Sequence, residues 1–402
     1  MGRDDSIFDV HWLDEDSGDA TAPNPPRLPW PRWFTVAVVV LALAAAAGVI
    51  NRVRTDSPSA PAAAPSTPAT SRPAPSTSPP ASSAVPPGPV TVTPLGRPLL
   101  GATTGWELIG RGVGVLVRIQ PAAGRIVRTT LPDLRSSGAV SLLSGSDRVI
   151  IRPMDDVPGY LVRDGQAARE MPLALNLDGP VFPGPVAGQM WVRPADDHQP
   201  VMALATLDGK RLADFVPVPP GSSPFEAVAD GAGYLLYSGI GGVYQARPGG
   251  LRRISTGALL AVGPTGWLVA ECDERYRCSL VLVDRRSGTR RTLPGGAVSR
   301  DSTGVLSPDG TTAAMLTAGS NGSAGLYLLD LATGRRRTID LSVGLESIDG
   351  TLAFSPDSRW LFAISADGTL MTVNRATGAV RELAHDLPPL SQLVVRPAGA
   401  GS

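Results

Sequence analysis

Apolar and polar positions in this chain alternate as they do in short β-strands, and the pattern repeats. Residues 304–341 show it most clearly, as four short strands separated by turns. The first turn, SPDG at 307–310, combines a proline that fixes one backbone dihedral with a glycine that supplies a positive one. Four strands joined in this way form a sheet that cannot bury both faces alone, so we expect the unit to recur.

A glycine-containing turn follows a β-like run seven times in the chain. The glycines are Gly124, Gly165, Gly209, Gly249, Gly288, Gly334 and Gly378, with successive spacings of 41, 44, 40, 39, 46 and 44 residues. A period near 42 is typical of four-stranded propeller blades. The sequence therefore predicts an all-β fold, a seven-bladed β-propeller over residues 92–402.

A second marker, an apolar strand followed by proline, predicts how the ring closes. Its last copy, at Pro397, falls after the seventh blade is complete. We therefore predict that residues 392–396 form the innermost strand of the first blade, whose own strands begin near Trp106. Closing the ring with both termini removes a free sheet edge. The alternative is that residues 90–93 pair on the rim of the last blade.

Tryptophans and arginines occupy regular places in the predicted blades. The tryptophans near the start of second strands are Trp106, Trp191, Trp267 and Trp360. Large rings at one register indicate packing between blades rather than a ligand cage. Arginine runs at 252–253, 290–291 and 335–337 fall on fourth strands, where they predict a charged outer rim. The alternative is contact with anionic lipid or wall polymers.

The strings FSPDSRWLFAIS and LSPDGTTAAMLTAG, the latter followed by GLYLLDLATGRRRTI, resemble a known repeat. They are similar to the WD40-like repeat of bacterial envelope propellers, the type found in the C-terminal domain of TolB proteins. The motif is clear in the last two blades, partial in the fifth and only periodic in the first four. The Trp-Asp ending of eukaryotic WD40 blades is absent. The resemblance implies a fold and leaves the role open, because propellers host many unrelated functions.

The region before the propeller predicts a membrane anchor. Residues 33–50 contain no charge, and a stretch of this length approaches what a helix needs to span a bilayer. A cleaved signal peptide fits less well, because residues 1–32 are long and acidic where a signal begins with a short basic region. We interpret residues 1–32 as a disordered cytoplasmic tail. Residues 51–91, rich in proline, alanine and serine, predict a disordered linker.

The two cysteines, Cys272 and Cys278, bracket the loop between the second and third strands of the fifth blade. Neighbours across a hairpin mouth can meet disulfide geometry. Two thiols without a nearby histidine make a poor zinc site, and their spacing is not that of a redox motif. We predict a structural disulfide, which places the propeller outside the cytoplasm and the N-terminus inside. The net charge of zero gives no reason to expect a nucleic-acid partner.

Paired acids recur in the loops between second and third strands of three predicted blades. They are Asp155 and Asp156, Asp196 and Asp197 followed by His198, and Asp273 and Glu274. A face that carries them can bind a cation or a basic partner. The alternative is that acids lie in loops because loops are solvated, and none of these loops has the spacing of a calcium loop. We expect no cofactor and no resident metal.

No catalytic motif appears in the sequence. The three histidines, His11, His198 and His385, are scattered, and no nucleophile elbow, HExxH or phosphate-binding loop occurs. We therefore predict a membrane-anchored extracytoplasmic propeller that binds an envelope protein or a cell-wall component as a scaffold. Two alternatives stay open. One is a hydrolase or lyase that uses carboxylates at the central channel; the other is a sensor that signals to the cytoplasmic tail.

Overall fold

A computed structural model describes most of the chain beyond residue 89. The described residues are 90–103, 105–131, 134, 140–153, 159–171, 179–194, 201–223, 226–275, 277–294, 302–318, 323–344 and 350–397. The predicted tail, the predicted membrane helix at 33–50 and nearly all of the predicted linker lie outside these ranges. Within them, no helix is long and apolar enough to cross a membrane.

The described residues form an all-β propeller of 29 strands. Sheet I contains β1 (Val90–Pro94), β2 (Trp106–Gly112), β3 (Val115–Gln120), β4 (Arg125–Thr130) and β29 (Leu390–Pro397). Sheet II contains β5 (Val140–Ser144), β6 (Arg148–Pro153), β7 (Tyr160–Arg163) and β8 (Arg169–Glu170). Sheet III contains β9 (Phe182–Pro183), β10 (Gln189–Val192), β11 (Val201–Thr206) and β12 (Arg211–Pro217). Sheet IV contains β13 (Val228–Ala229), β14 (Leu235–Gly239), β15 (Gly242–Arg247) and β16 (Gly250–Ser255).

Sheet V has eight strands in two antiparallel halves of four. Half Va contains β17 (Ala258–Val262), β18 (Gly266–Cys272), β19 (Cys278–Asp284) and β20 (Arg290–Thr292). Half Vb contains β21 (Thr303–Leu306), β22 (Thr312–Ala318), β23 (Ser323–Asp330) and β24 (Arg336–Gly344). The halves meet through a short parallel pairing of β17 with β21. Sheet VI contains β25 (Leu352–Phe354), β26 (Trp360–Ile364), β27 (Leu370–Asn374) and β28 (Val380–Glu382).

Sheet I joins the two ends of the described chain. The C-terminal strand β29 pairs antiparallel with β2, with Leu108 opposite Val395, which confirms the predicted closing strand at 392–396. The N-terminal strand β1 pairs with β4 at the outer edge of the same sheet. The alternative that placed residues 90–93 on the rim of the last blade is therefore wrong. Each terminus adds one strand to sheet I, so this sheet alone has five.

The predicted turns lie where the glycine spacing placed them, between the third and fourth strands of each unit. The seven repeat glycines all have positive φ, between 57° for Gly124 and 92° for Gly209 and Gly249. The string at 307–310 links β21 to β22, as predicted. Gly310 there has φ 67°, and Ser358, at the same position of the next such turn, has φ 59°. The turn requires a left-handed residue at this position whatever its identity, and glycine adopts that conformation without a steric penalty.

The core lies between neighbouring sheets. Each buried apolar cluster draws its side chains from two adjacent sheets or half sheets, and one cluster joins sheet VI to sheet I. The four recurrent tryptophans are at most 8% exposed, which confirms the predicted packing role. The centroid of the Trp106 ring lies 5.5 Å from the centroid of the Phe362 ring, across the junction of sheets I and VI. Trp191 and Trp267 donate their indole N–H groups to backbone carbonyls of sheet IV, at Gly233 and Asp230.

Candidate functional site

The acids predicted to form a binding face divide into two groups. Asp155, Asp156, Asp196, Asp197 and His198 lie outside the described residues. Asp273 and Glu274 are described, and both are exposed in the hairpin loop between β18 and β19. Among the residues that the structure describes, no three His, Cys, Asp or Glu side chains are grouped to hold a metal ion. The described part of the predicted face is therefore this hairpin.

The hairpin is closed covalently. Cys272 and Cys278 pair directly across the two strands and form the predicted disulfide, with a Cα–Cα distance of 3.8 Å. Asp273 also ties the loop from within, because its Oδ1 accepts the backbone N–H groups of Arg275 and Arg277 at 2.9 Å each. These backbone hydrogen bonds and the Arg277 guanidinium lower the pKa of the Asp273 carboxyl. Glu274 and Arg275 remain exposed at the tip.

A network of four charges and one amide, buried except for the partly exposed Asp164, closes the ring. Glu107 on β2 accepts hydrogen bonds from Arg118 Nη2 at 2.9 Å and from Gln120 Nε2 at 2.9 Å. Arg396 on β29 donates Nη2 to Glu107 Oε2 at 3.1 Å and to Asp164 Oδ1 at 2.7 Å. Arg118 also reaches Asp164 at 3.0 Å. We call these five residues the closure network; it links sheet I, the C-terminal strand and the turn after β7.

The closure network favours the ionised form of Glu107. Burial alone raises the pKa of Glu107, but hydrogen bonds from Gln120 and Arg118 and the charges of Arg118 and Arg396 outweigh it and lower that pKa. Sequence reasoning missed these residues. The available signal was a charged side chain within an otherwise apolar strand, as in WELIGRG, VLVRIQ and LSQLVVRP. A charge at a buried strand position requires a partner.

A second network forms at the turn between β21 and β22, and we call it the turn network. Asp309 Oδ1 accepts from Ser307 Oγ at 2.6 Å and Thr311 Oγ1 at 2.9 Å, and Oδ2 accepts from Arg375 Nη1 at 2.5 Å. The Asp309 backbone N–H donates to Ser358 Oγ at 3.0 Å. Partial burial favours the neutral acid, but the hydrogen bonds from Ser307, Arg375 and Thr311 prevail and lower the pKa of Asp309 to about 2.

The arginine runs lie on the outer strands β16, β20 and β24 or in the turn before β24, as predicted. Several of these side chains link neighbouring units instead of pointing only to solvent. Arg291 donates to the Leu331 carbonyl of half Vb at 2.9 Å, and Arg337 donates to the Ala376 carbonyl of sheet VI at 2.7 Å. Arg290 contacts the Ile254 carbonyl of sheet IV at 2.7 Å and pairs with Glu271. The rim arginines thus contribute to the joints between blades.

The chain is similar to several solved structures. No family model and no curated protein matches it. Among solved structures, it is similar to TolB from Acinetobacter baumannii, at 13% identity and TM-score 0.39 over 72% of this chain and 82% of that one. It is also similar to the WD40 domain of Toxoplasma gondii coronin (10%, TM-score 0.37, 63% and 73%). A third is a periplasmic gluconolactonase of Pseudomonas aeruginosa (16%, TM-score 0.39, 72% and 98%).

Proposed function

We propose that this chain is a membrane-anchored, extracytoplasmic seven-bladed propeller that binds an envelope protein or a cell-wall component as a scaffold. In this proposal residues 33–50 span the membrane with the N-terminus in the cytoplasm, and residues 51–91 carry the propeller away from it. The count of seven treats the halves Va and Vb as separate blades. It is supported by seven glycine turns and by seven apolar clusters between neighbouring units.

The main observation that supports this proposal is the hairpin closed by Cys272 and Cys278. A disulfide persists in oxidising compartments, which supports an extracytoplasmic location. The covalent link and the Asp273 hydrogen bonds hold the loop in one shape while Glu274 and Arg275 stay exposed. A loop that is already ordered loses little conformational entropy when a partner binds. The charged tip fits a partner with complementary charge on its surface.

The shifted carboxyl groups of the described residues fit structural roles, which is consistent with a binding module. A general acid that works near neutral pH needs a raised pKa. In the described part of the chain, every carboxyl group with a resolved shift has its pKa lowered, and Glu107 is held by arginines and an amide. Asp273, Asp284, Asp330 and Asp367 accept hydrogen bonds within their own turns. Glu271 and Asp309 accept them from a neighbouring unit, from Ser255 and Arg375.

Site-specific photo-crosslinking of the full chain in intact cells tests the proposal. The residue p-benzoylphenylalanine replaces Glu274 at the hairpin tip or, as the matched control, exposed Ala332 in the turn between β23 and β24, at the opposite end of the strands. We expect one envelope partner to be captured from position 274 and not from position 332. Equal capture at both positions, or turnover of an envelope substrate by the purified chain without any capture, would overturn it.

A further inference from the structure

A pocket lies where the ring closes, at the opposite end of the strands from the disulfide hairpin. It has a volume of about 440 Å³ and is bounded by the segment 97–101 on one side and by residues of sheet VI on the other. That segment follows β1 in the chain and lies against the turn before β4. Leu99 N–H donates to Pro121 O of that turn, and Leu95 N–H, just before the segment, donates to Gly124 O. Small-molecule sites in proteins have volumes in this range. We call it the seam pocket.

The walls of the seam pocket combine apolar surface with positive charge. Leu99, Leu100 and Leu383 supply aliphatic side chains, and Arg97 and Arg381 are exposed beside them. The one acid of the lining, Glu382, already contacts His385 Nδ1 at 2.8 Å. The mouth therefore has an excess of positive charge above an apolar wall.

Trp360 holds one of these cations in place. The Arg381 guanidinium lies 4.9 Å from the centroid of the Trp360 ring, a cation–π contact that limits its motion while leaving its N–H groups able to donate. Trp360 is itself 8% exposed, and its indole N–H has no acceptor among the residues described. A pre-oriented guanidinium beside apolar surface is suited to a planar anionic group.

The backbone at the wall of the pocket is strained. Leu100 has φ 56°, a left-handed conformation that is an outlier for a bulky residue, and it precedes Gly101 at φ 64°. The hydrogen bond from Ala102 N–H to Leu99 O closes this turn. Strained conformations persist where the surrounding structure enforces them, and they concentrate at functional sites. Here the strained residue lines the pocket.

We propose that the seam pocket binds a small amphipathic anion. Its carboxylate or phosphate pairs with Arg381 and Arg97, and its apolar ring or chain packs on Leu99, Leu100 and Leu383. The site is separate from the partner-binding face proposed above. It requires only the closed ring, because its two walls come from opposite ends of the propeller sequence.

Fluorine NMR on the full chain in lipid nanodiscs tests this site with matched probes. The probes are 4-(trifluoromethyl)phenylacetate, 4-(trifluoromethyl)phenyl phosphate and the cation 4-(trifluoromethyl)benzylammonium. We expect saturable binding of an anion, with the two anions identifying the preferred head group, and no saturable binding of the cation. Equal binding of cation and anions, or no saturable binding of either anion, would refute the proposal.

Variants distinguish anion binding in the seam pocket from non-specific attraction to positive charge. Arg381→Gln should weaken anion binding about tenfold, the effect of losing one charge-assisted hydrogen bond. Arg286→Gln, which removes an exposed arginine from the turn between β19 and β20, should leave binding unchanged. Leu100→Gly relieves the positive φ but also removes a side chain packed against the core between sheets I and VI, so the free energy of unfolding should change little. The variant should bind the anion less tightly because one wall of the pocket is gone. Unchanged affinity in both Arg381→Gln and Leu100→Gly would exclude the seam pocket.

Discussion

The closure network and the turn network use the same chemistry in different surroundings. In both, an arginine from one unit meets a carboxylate of another, and hydroxyl or amide donors complete the set. Glu107 and Arg396 are almost fully buried, whereas the Asp309 and Arg375 side chains are 38% and 27% exposed. The same pairing of arginine with carboxylate therefore forms a buried contact in one place and a partly exposed contact in the other. Its contribution to stability should depend on that burial.

Burial determines how much stability is lost when one partner of an ion pair is removed. A buried ion pair repays its desolvation only if every charge is matched, so removing one partner leaves the others uncompensated. An exposed pair regains water when it is broken, and its net contribution is small. The two networks should therefore respond very differently to equivalent substitutions.

The largest effect is expected at the centre of the closure network. Glu107→Gln removes the charge that faces Arg118 and Arg396 and should lower the free energy of unfolding by about 3–5 kcal/mol, the usual result of breaking a buried pair. Chemical denaturation followed by tryptophan fluorescence measures it. Asp309→Asn is the matched control, because it neutralises the equivalent carboxylate of the turn network. Equal losses in the two variants would contradict the role assigned to burial.

Removing the covalent link of the short hairpin loop should cause an intermediate loss of stability. Replacing Cys272 and Cys278 together by serine should cost about 2 kcal/mol, because the disulfide closes only a small loop in the unfolded chain. Reduction of the unmodified protein provides the control and should give the same destabilisation. The measurement is the denaturation midpoint with and without reductant. No change in that midpoint would mean that the loop is held by Asp273 alone.

The smallest loss of stability is expected when Asp309 of the turn network is protonated. The pKa of Asp309 falls from its ordinary 3.8 to about 2 on folding. Because the folded-state pKa is depressed, the stabilisation is complete well above pH 4 and is lost as the pH falls towards 2. Solvent screens this pair, so the loss should stay below about 1 kcal/mol. Comparing unmodified protein with Asp309→Asn between pH 5 and pH 2 tests the sign; the difference between them should shrink as the pH falls.

The sequence predicted the repeat well because blade formation is local. Alternating strands, the glycine turns and the turn string at 307–310 depend on neighbouring residues, and the structure places them as expected. The cysteine pair was also accessible, since both residues flank one hairpin. Even the closing strand at 392–396 was predictable, because a strand left over after a complete set of blades has to pair with an open edge.

What the sequence alone determined is therefore the blade and its turns, and what tertiary structure decided is how distant pieces meet. Arg396 and Glu107 are separated by 289 positions, and no local pattern names one as the partner of the other. The placement of β1 on sheet I and the seam pocket between residues 97–101 and sheet VI arise in the same way. Hydrophobic periodicity specifies which face of a strand is buried, whereas the partner of a buried charge is specified only when the ring closes.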